Sequence, residues 1–156
     1  AACALSYEGL AWLTGTAVLL GGAWPGGHAI ALALLYSLGA HGIMTLNDFK
    51  AIEGDRAMGV ASLPVQLGPR NAARVACVMM WLPQAAVAGL LWHWQLPWHA
   101  VAVLVLGFLQ WPLMAAFIKQ PIERALHVSA FGVPLFVSGM MVSAWGLRQL
   151  HSLGVL

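Results

Sequence analysis

Charged residues are scarce in this sequence. Only 8% of its 156 residues are Asp, Glu, Lys or Arg, whereas 61% are hydrophobic. An ordinary soluble domain carries roughly a quarter charged residues, so this deficit indicates an integral membrane protein. The formal net charge of +2 is too small to favour nucleic-acid binding, and we expect no nucleic-acid partner. By its length the chain forms one domain at most.

Cysteine is also rare, with Cys3 and Cys77 as the two examples. Both lie in apolar surroundings without a motif spacing between them, so we interpret them as buried thiols. The sequence begins with Ala1 rather than Met, and no charged segment precedes the first apolar run. We therefore expect no signal peptide and predict that the sequence is cut from a longer membrane protein.

Long apolar runs make up most of the chain. A membrane-spanning helix needs about 20 mainly apolar residues, and five runs come close to this length. We predict one transmembrane helix for each, at about residues 4–24, 28–46, 72–92, 98–118 and 127–147. Helices are expected because an open chain in lipid has no other way to satisfy its backbone hydrogen-bonding groups. The predicted fold is an all-α, polytopic membrane helix bundle with five transmembrane helices.

The distribution of cations predicts how these helices are oriented. If they alternate in direction, six of the seven Lys and Arg residues fall on the side of the 47–71 loop, and Arg148 falls on the other. Because cytoplasmic loops carry an excess of Lys and Arg, we expect the 47–71 loop to be cytoplasmic. The tryptophans agree, since most lie near the opposite interface, where an aromatic belt is typical.

A strongly charged run at residues 47–56 interrupts the apolar pattern. It contains three carboxylates, one Lys, one Arg and one Asn. If the preceding helix continues through it, Asp48 and Asp55 share a face, because seven residues make two helical turns. Asn47 lies close to the same face. Carboxylate and amide oxygens are ligands that Mg²⁺ prefers, so these three residues are candidate metal ligands.

Two cations, Lys50 and Arg56, flank these acids and are suited to holding phosphate oxygens. We therefore predict an ion and phosphate site at the mouth of a membrane-buried cavity. The alternative is a solvated cytoplasmic loop with internal ion pairs, which contribute little when they are exposed.

The charged run and its continuation resemble a known family. Asn-Asp-Phe-Lys stands at 47–50 and Ile-Glu-Gly-Asp-Arg at 52–56, followed by Gly59, by Ser-Leu-Pro-Val at 62–65 and by Leu-Gly at 67–68. This pattern resembles the chlorophyll and bacteriochlorophyll synthases, a branch of the UbiA-type intramembrane prenyltransferases. The resemblance extends from Ser6 through all five predicted helices.

The resemblance implies a nine-helix α-bundle in which two acidic loops face each other across a cavity. This chain resembles the last five helices and the second loop. The missing N-terminal helices, which would carry the first loop, are therefore an expected partner, together with the lipid bilayer. The resemblance also implies a bacterial inner, photosynthetic membrane as the location.

The resemblance further implies that the propionate of (bacterio)chlorophyllide is esterified by geranylgeranyl or phytyl diphosphate, with release of diphosphate. In this interpretation Asn47, Asp48 and Asp55 are the catalytic residues and hold Mg²⁺ as the cofactor. Lys50 and Arg56 bind the diphosphate. The sequence leaves open which prenyl donor and which pigment are used.

Two positions complicate this assignment. His41, six residues before Asn47, is a candidate contact to the tetrapyrrole through its central Mg, and the alternative is a packed polar residue that bonds a neighbouring helix. Ala51 occupies the position, four residues before Asp55, where quinone-making relatives usually carry an Asp. We therefore expect this branch to arrange its metal ligands differently.

Two other functions are compatible with parts of the sequence. A quinone or haem prenyltransferase would share the fold, but the pattern at residues 49–56 favours the tetrapyrrole branch. A non-catalytic pigment-binding membrane subunit would need histidines in the middle of its helices, and only His41 comes near such a position.

Overall fold

A computed structural model describes residues 2–152 of the chain, and regular structure within this range is entirely helical. We number the helices in chain order and label two π-helical segments separately. They are α1 (Ala2–Ala4), π1 (Leu5–Gly9), α2 (Leu10–Leu19), α3 (Gly27–Asp48), α4 (Ile52–Ala57), α5 (Leu63–Leu67), α6 (Pro69–His93), α7 (Pro97–Lys119), α8 (Pro121–His127), π2 (Val128–Gly132) and α9 (Val133–Ser152).

Four helices in the described range are long and apolar enough to cross a membrane, judged by length and composition. They are Gly27–Asp48, Pro69–His93, Pro97–Lys119 and Pro121–Ser152, the last of which joins α8, π2 and α9. The predicted all-α, polytopic membrane bundle is therefore confirmed. Each of the last four predicted spans falls inside one of these helices.

The predicted number of five membrane helices is not confirmed. The first predicted span, residues 4–24, is helical only as far as Leu19 and does not qualify by length and composition. It ends in a turn at Gly21 and Gly22, whose φ angles of 65° and 93° are readily adopted by glycine. These two glycines shorten the helix that the apolar composition alone predicted.

The long helices pack as successive neighbours. Helix α3 packs mainly on α6, α6 on α7, and α7 on α9, while the first helical segment lies against α3. The contact between α3 and α6 is especially close at Gly42, where a Cβ atom would lie 2.6 Å from the carbonyl oxygen of Ala76. Small residues at such positions allow membrane helices to approach each other closely.

A cluster of four buried polar side chains joins these helices near their centres. The Tyr36 hydroxyl lies 2.7 Å from Ser143 Oγ, and Gln84 and Gln110 exchange hydrogen bonds of 3.1 and 3.3 Å. The two pairs meet at Gly139, whose Cβ would lie 3.4 Å from Gln84 Oε1 and 3.9 Å from the Tyr36 hydroxyl. We call these four side chains the central polar cluster, and its hydrogen bonds join α3 to α9 and α6 to α7.

The prediction of two buried thiols is correct for one of the two cysteines. Cys77 is buried, and its Sγ lies 4.0 Å from the carbonyl oxygen of Met114. Cys3 is exposed, so the prediction is wrong there. Its apolar neighbours in sequence belong to the first helical segment, which packs on α3 along only one side.

Candidate functional site

The charged run begins where helix α3 ends. After Asp48 the chain makes a tight turn, in which the Lys50 N–H donates to the Asn47 carbonyl and the Ala51 N–H donates to the Asp48 carbonyl, both at 3.1 Å. A new helix, α4, then starts at Ile52. The expectation of one continuous helix through residues 47–55 is therefore wrong, because this turn ends the first helix before the second begins.

Phe49 anchors this turn to the helix bundle. Its side chain is only 3% exposed, and its ring centroid lies 5.0 Å from that of Phe117 in an edge-to-face arrangement. Such a contact stabilises both rings beyond the burial of their area. The end of α3 is thereby fixed against α7, while the neighbouring Asp48 is half-buried and Lys50 is exposed.

Asp48 and Asp55 interact electrostatically despite the break between their helices. The two half-buried carboxylates interact electrostatically, and Asp48 also interacts with His41, seven residues earlier on α3. Backbone hydrogen bonds hold Asp55 in place, since its N–H donates to Ala51 at 2.7 Å and its carbonyl accepts from Val60 at 2.8 Å. A cation bound between the two carboxylates would offset their mutual repulsion.

The donor chemistry of these residues fits Mg²⁺. Asp48 and Asp55 supply two carboxylates, and the exposed amide of Asn47 stands next to Asp48 in the chain. Between residues 2 and 152 no group of three or more His, Cys, Asp or Glu side chains is placed to hold a metal. Mg²⁺ usually binds one or two carboxylates and completes its shell with water and substrate phosphate, so two carboxylates are compatible with this ion.

The other predicted site residues lie around these acids. Lys50 and Arg56 are exposed on the turn and on α4, and both are accessible to a ligand. His41 is half-buried, and its backbone carbonyl accepts a 2.9 Å hydrogen bond from the Thr45 hydroxyl. The roles predicted for these residues remain predictions.

The structure adds Ser62, which sequence reasoning did not select. Its hydroxyl oxygen is buried and has no hydrogen-bond partner in the described part of the chain. It precedes the short helix α5, which packs against both α3 and α4. A buried polar atom without a hydrogen-bond partner lowers the stability of the fold. A ligand that formed a hydrogen bond with this hydroxyl oxygen would remove that loss. Its place in the Ser-Leu-Pro-Val segment was the signal that could have identified it.

A cavity of about 730 Å³ lies at the other end of α3. Its walls come from the first helical segment, the start of α3 and the end of α9, and they include Trp12, Trp24, His28 and Arg148. Asp, Glu and Asn side chains are absent from the residues that line it, so it lacks the donors that a metal–diphosphate site needs. The chemistry therefore places the candidate site at the carboxylates and not at this cavity.

Comparison with known proteins identifies the family. A family model described as the UbiA prenyltransferase family matches residues 3–138. The chain belongs to the UbiA prenyltransferase family. This result confirms the resemblance that the residues at 47–68 carried, and it covers most of the described helices.

This UbiA-family chain is similar to several curated proteins. It is 50% identical over 146 residues to the bacteriochlorophyll synthase 33 kDa chain of Rhodobacter capsulatus, covering 92% of this chain and 48% of that protein. It is 47% identical over 144 residues to the bacteriochlorophyll synthase 34 kDa chain of Chloroflexus aurantiacus, covering 92% of this chain and 46% of that protein. It is 38% identical over 140 residues to the chloroplastic chlorophyll synthase of Oryza sativa, covering 89% of this chain and 36% of that protein.

The UbiA-family chain spans about half the length, or less, of the curated relatives it matches. No solved structure gives a significant match.

Proposed function

We propose that this chain supplies the second acidic loop of a membrane prenyltransferase that esterifies the propionate of (bacterio)chlorophyllide. The prenyl donor is geranylgeranyl or phytyl diphosphate, and diphosphate is released. The proposal rests chiefly on one observation, the electrostatic interaction of Asp48 with Asp55 at the end of a membrane-length helix. Identity of about 50% to a protein named bacteriochlorophyll synthase supports the choice of the tetrapyrrole branch.

The proposed reaction needs charge stabilisation more than proton transfer. A propionate oxygen bonds to the first carbon of the prenyl chain, and the bond from that carbon to the diphosphate oxygen breaks. The diphosphate leaves with the bonding electron pair. Because the propionate, with a pKa near that of an unperturbed Glu side chain, is already ionised at neutral pH, the attacking oxygen needs no general base. Lys50 and Arg56 would stabilise the negative charge that grows on the leaving diphosphate.

The acidic residues would serve the same step through a metal. Asp48, Asp55 and Asn47 would hold Mg²⁺ together with the opposite acidic loop of the complete protein. When bound, Mg²⁺ supplies positive charge that offsets the charge of the diphosphate. Ala51 stands where quinone-making relatives usually carry an Asp, and in our proposal the half-buried Asp48 takes over the role of that carboxylate.

His41 would contact the tetrapyrrole. It lies on the face of α3 that leads from Asp48 toward the middle of the helix, and it interacts electrostatically with Asp48. A pigment whose propionate reaches the acids would have its ring along this part of α3. We also propose that the 47–71 loop lies on the cytoplasmic side, because six of the seven Lys and Arg residues fall on the same side of the predicted helices as this loop.

The variant Asp55→Asn in the complete enzyme tests this function. We expect turnover to fall by about 100-fold or more, with a smaller change in the KM for prenyl diphosphate, because charge stabilisation acts mainly in the transition state. The matched control is Glu53→Gln, which changes an exposed carboxylate on the same short helix α4. Lys50→Ala should reduce turnover less, because Arg56 partly compensates.

The assay is ester formation from chlorophyllide or bacteriochlorophyllide with geranylgeranyl diphosphate and Mg²⁺. A kcat for Asp55→Asn close to that of the unchanged enzyme, at moderate Mg²⁺ concentration, would refute the metal role of Asp55. Absence of any esterified pigment from the unchanged complete enzyme would refute the proposed function itself.

A further inference from the structure

Glu8 is an ionisable residue that the proposed chemistry does not use. It is the only Asp, Glu, Lys or Arg among residues 1–47. It lies in the π-helical segment π1, Leu5–Gly9, within the first helical segment. Single π turns inside α-helices occur frequently at functional sites, because the extra residue redirects the side chains around it.

The packing of π1 places Glu8 at about the level of the middle of α3. A Cβ atom on the adjacent Gly9 would lie 2.6 Å from Ser37 Oγ and 3.8 Å from the carbonyl oxygen of Ala33. Ser37 and Ala33 stand in the central part of α3, which runs from Gly27 to Asp48. Glu8 therefore lies at about the mid-depth of a helix long enough to cross a membrane. A charged carboxyl group at this depth is costly, and ionisable residues inside membrane helices usually mark a functional site.

Glu8 is not part of the central polar cluster. The four side chains of that cluster bond one another in two pairs, and all of them are buried. Glu8 interacts instead with Trp12, one turn later in its own helical segment, and is half-exposed. Trp12 in turn stacks on Tyr36, with ring centroids 5.5 Å apart and planes inclined by 9°. The carboxyl group is thus positioned by an aromatic pair but remains accessible to a ligand.

Glu8 also lies near the level at which a polar face of α3 ends toward the middle of that helix. Ser37, His41 and Asp48 follow at intervals of four and seven residues, which places them on one side of the helix. The eleven residues from Ser37 to Asp48 rise by about 17 Å. A ligand that extends from the acids past His41 would therefore reach the level of Glu8.

We propose that Glu8 binds the rim of the tetrapyrrole acceptor, with its protonated carboxyl group donating a hydrogen bond to a ring carbonyl. This inference rests on the proposed function, which places the propionate at the acidic run and the ring deeper along α3. The prenyl chain of the donor is a hydrocarbon without an acceptor atom. A hydrogen-bonding group at mid-depth can therefore distinguish the pigment from the prenyl donor, and Glu8 determines acceptor binding without taking part in bond formation.

The test compares Glu8→Leu and Glu8→Gln in the complete enzyme. Glu8→Leu removes the hydrogen-bond donor, so we expect the KM for pigment to rise about 3- to 10-fold, as for the loss of one hydrogen bond. The KM for prenyl diphosphate and kcat should stay within about twofold, since the lost bond is present in ground and transition states alike. Glu8→Gln keeps an N–H donor and should retain most of the pigment affinity.

Two further measurements make the result decisive. The matched control Thr14→Val removes an exposed hydroxyl from α2 and should leave both KM values unchanged. Binding of chlorophyllide, followed by its absorption spectrum without prenyl diphosphate, should weaken in Glu8→Leu by the same factor as the rise in KM. Equal pigment affinity in Glu8→Leu and the unchanged enzyme, or equal increases in KM for both substrates, would overturn the inference.

This design separates the two proposals. If the unchanged enzyme forms ester but Glu8→Leu is indistinguishable from it, only the role of Glu8 is wrong. If the unchanged enzyme forms no ester, the proposed function is wrong, and the binding titration alone then decides whether Glu8 contacts the pigment. Thermal unfolding of each variant in detergent shows whether it has folded.

Discussion

Replacement of Gly42 by Ala is the sharpest test of the helix packing that positions the site. A Cβ at Gly42 would lie 2.6 Å from the Ala76 carbonyl oxygen and 2.8 Å from Met80 Cγ. The Met80 side chain can rotate away, but the Ala76 carbonyl belongs to the backbone of α6. Helices α3 and α6 must therefore separate by roughly 0.8 Å to bring this contact to an ordinary distance of about 3.4 Å.

The expected loss of stability follows from this separation. Overpacking of this kind costs about 1–3 kcal/mol, and a gap of this size loses a substantial part of the dispersion energy around it. The higher helix propensity of Ala than of Gly offsets about 1 kcal/mol of this loss of stability. Because a backbone atom cannot move away alone, we place the overpacking cost in the upper part of its range, at about 2–3 kcal/mol, and expect a net loss of about 1–2 kcal/mol. For a protein of this size, the apparent Tm then falls by roughly 2–8 °C.

The same change should reduce activity, since α3 carries Asp48 at its end. A displacement of about 1 Å in a catalytic group can lower turnover by up to about 100-fold. The matched control is Gly89→Ala on α6, because no atom lies within 4 Å of a Cβ built there. We expect that variant to be as stable as the unchanged protein or up to about 1 kcal/mol more stable.

The assay is thermal unfolding in detergent, followed by tryptophan fluorescence, together with ester formation by the complete enzyme. A Gly42→Ala variant with the same apparent Tm as Gly89→Ala would refute the close approach of α3 and α6.

Two further predictions concern orientation and completeness. The orientation is tested in a variant in which Cys3 and Cys77 are replaced and one exposed position is changed, Ala57→Cys or Gln120→Cys. Both introduced thiols should react with an impermeant thiol reagent from the cytoplasmic side. Labelling of the two from opposite sides would contradict the predicted topology. Residues 1–156 alone should form no esterified pigment, because a cavity without the opposite acidic loop admits water and weakens each electrostatic contact. Co-expression with the N-terminal half of a complete relative should restore activity, and substantial ester from residues 1–156 alone would show that one loop is enough.

Local properties of the sequence were enough to predict the helices. Four apolar runs of about 20 residues fall inside four membrane-length helices, because hydropathy and length act within each segment. The residues of the charged run likewise carried the family resemblance without any tertiary information, and the family comparison confirmed it. The donor chemistry of Asp48, Asp55 and Asn47 follows from residue type alone.

Contacts between residues far apart in the sequence decided the geometry of the candidate site. The contact between Phe49 and Phe117 joins positions far apart in the chain, and it holds the turn that separates α3 from α4. Sequence spacing placed Asp48 and Asp55 on one helix face, whereas the structure places them on two helices separated by that turn, where they interact electrostatically. Their role as metal ligands stays a prediction.

The depth of Glu8 is a second property that only the tertiary structure reveals. In the sequence, Glu8 stands near the start of an apolar run and looks like a terminal charge. The close contact of Gly9 with Ser37 places Glu8 at about the level of the middle of α3. Hydropathy describes how each segment partitions into lipid, but it contains no information about which residues of two helices lie at the same level. That level depends on side-chain packing between helices, which is why it appeared only in the folded structure.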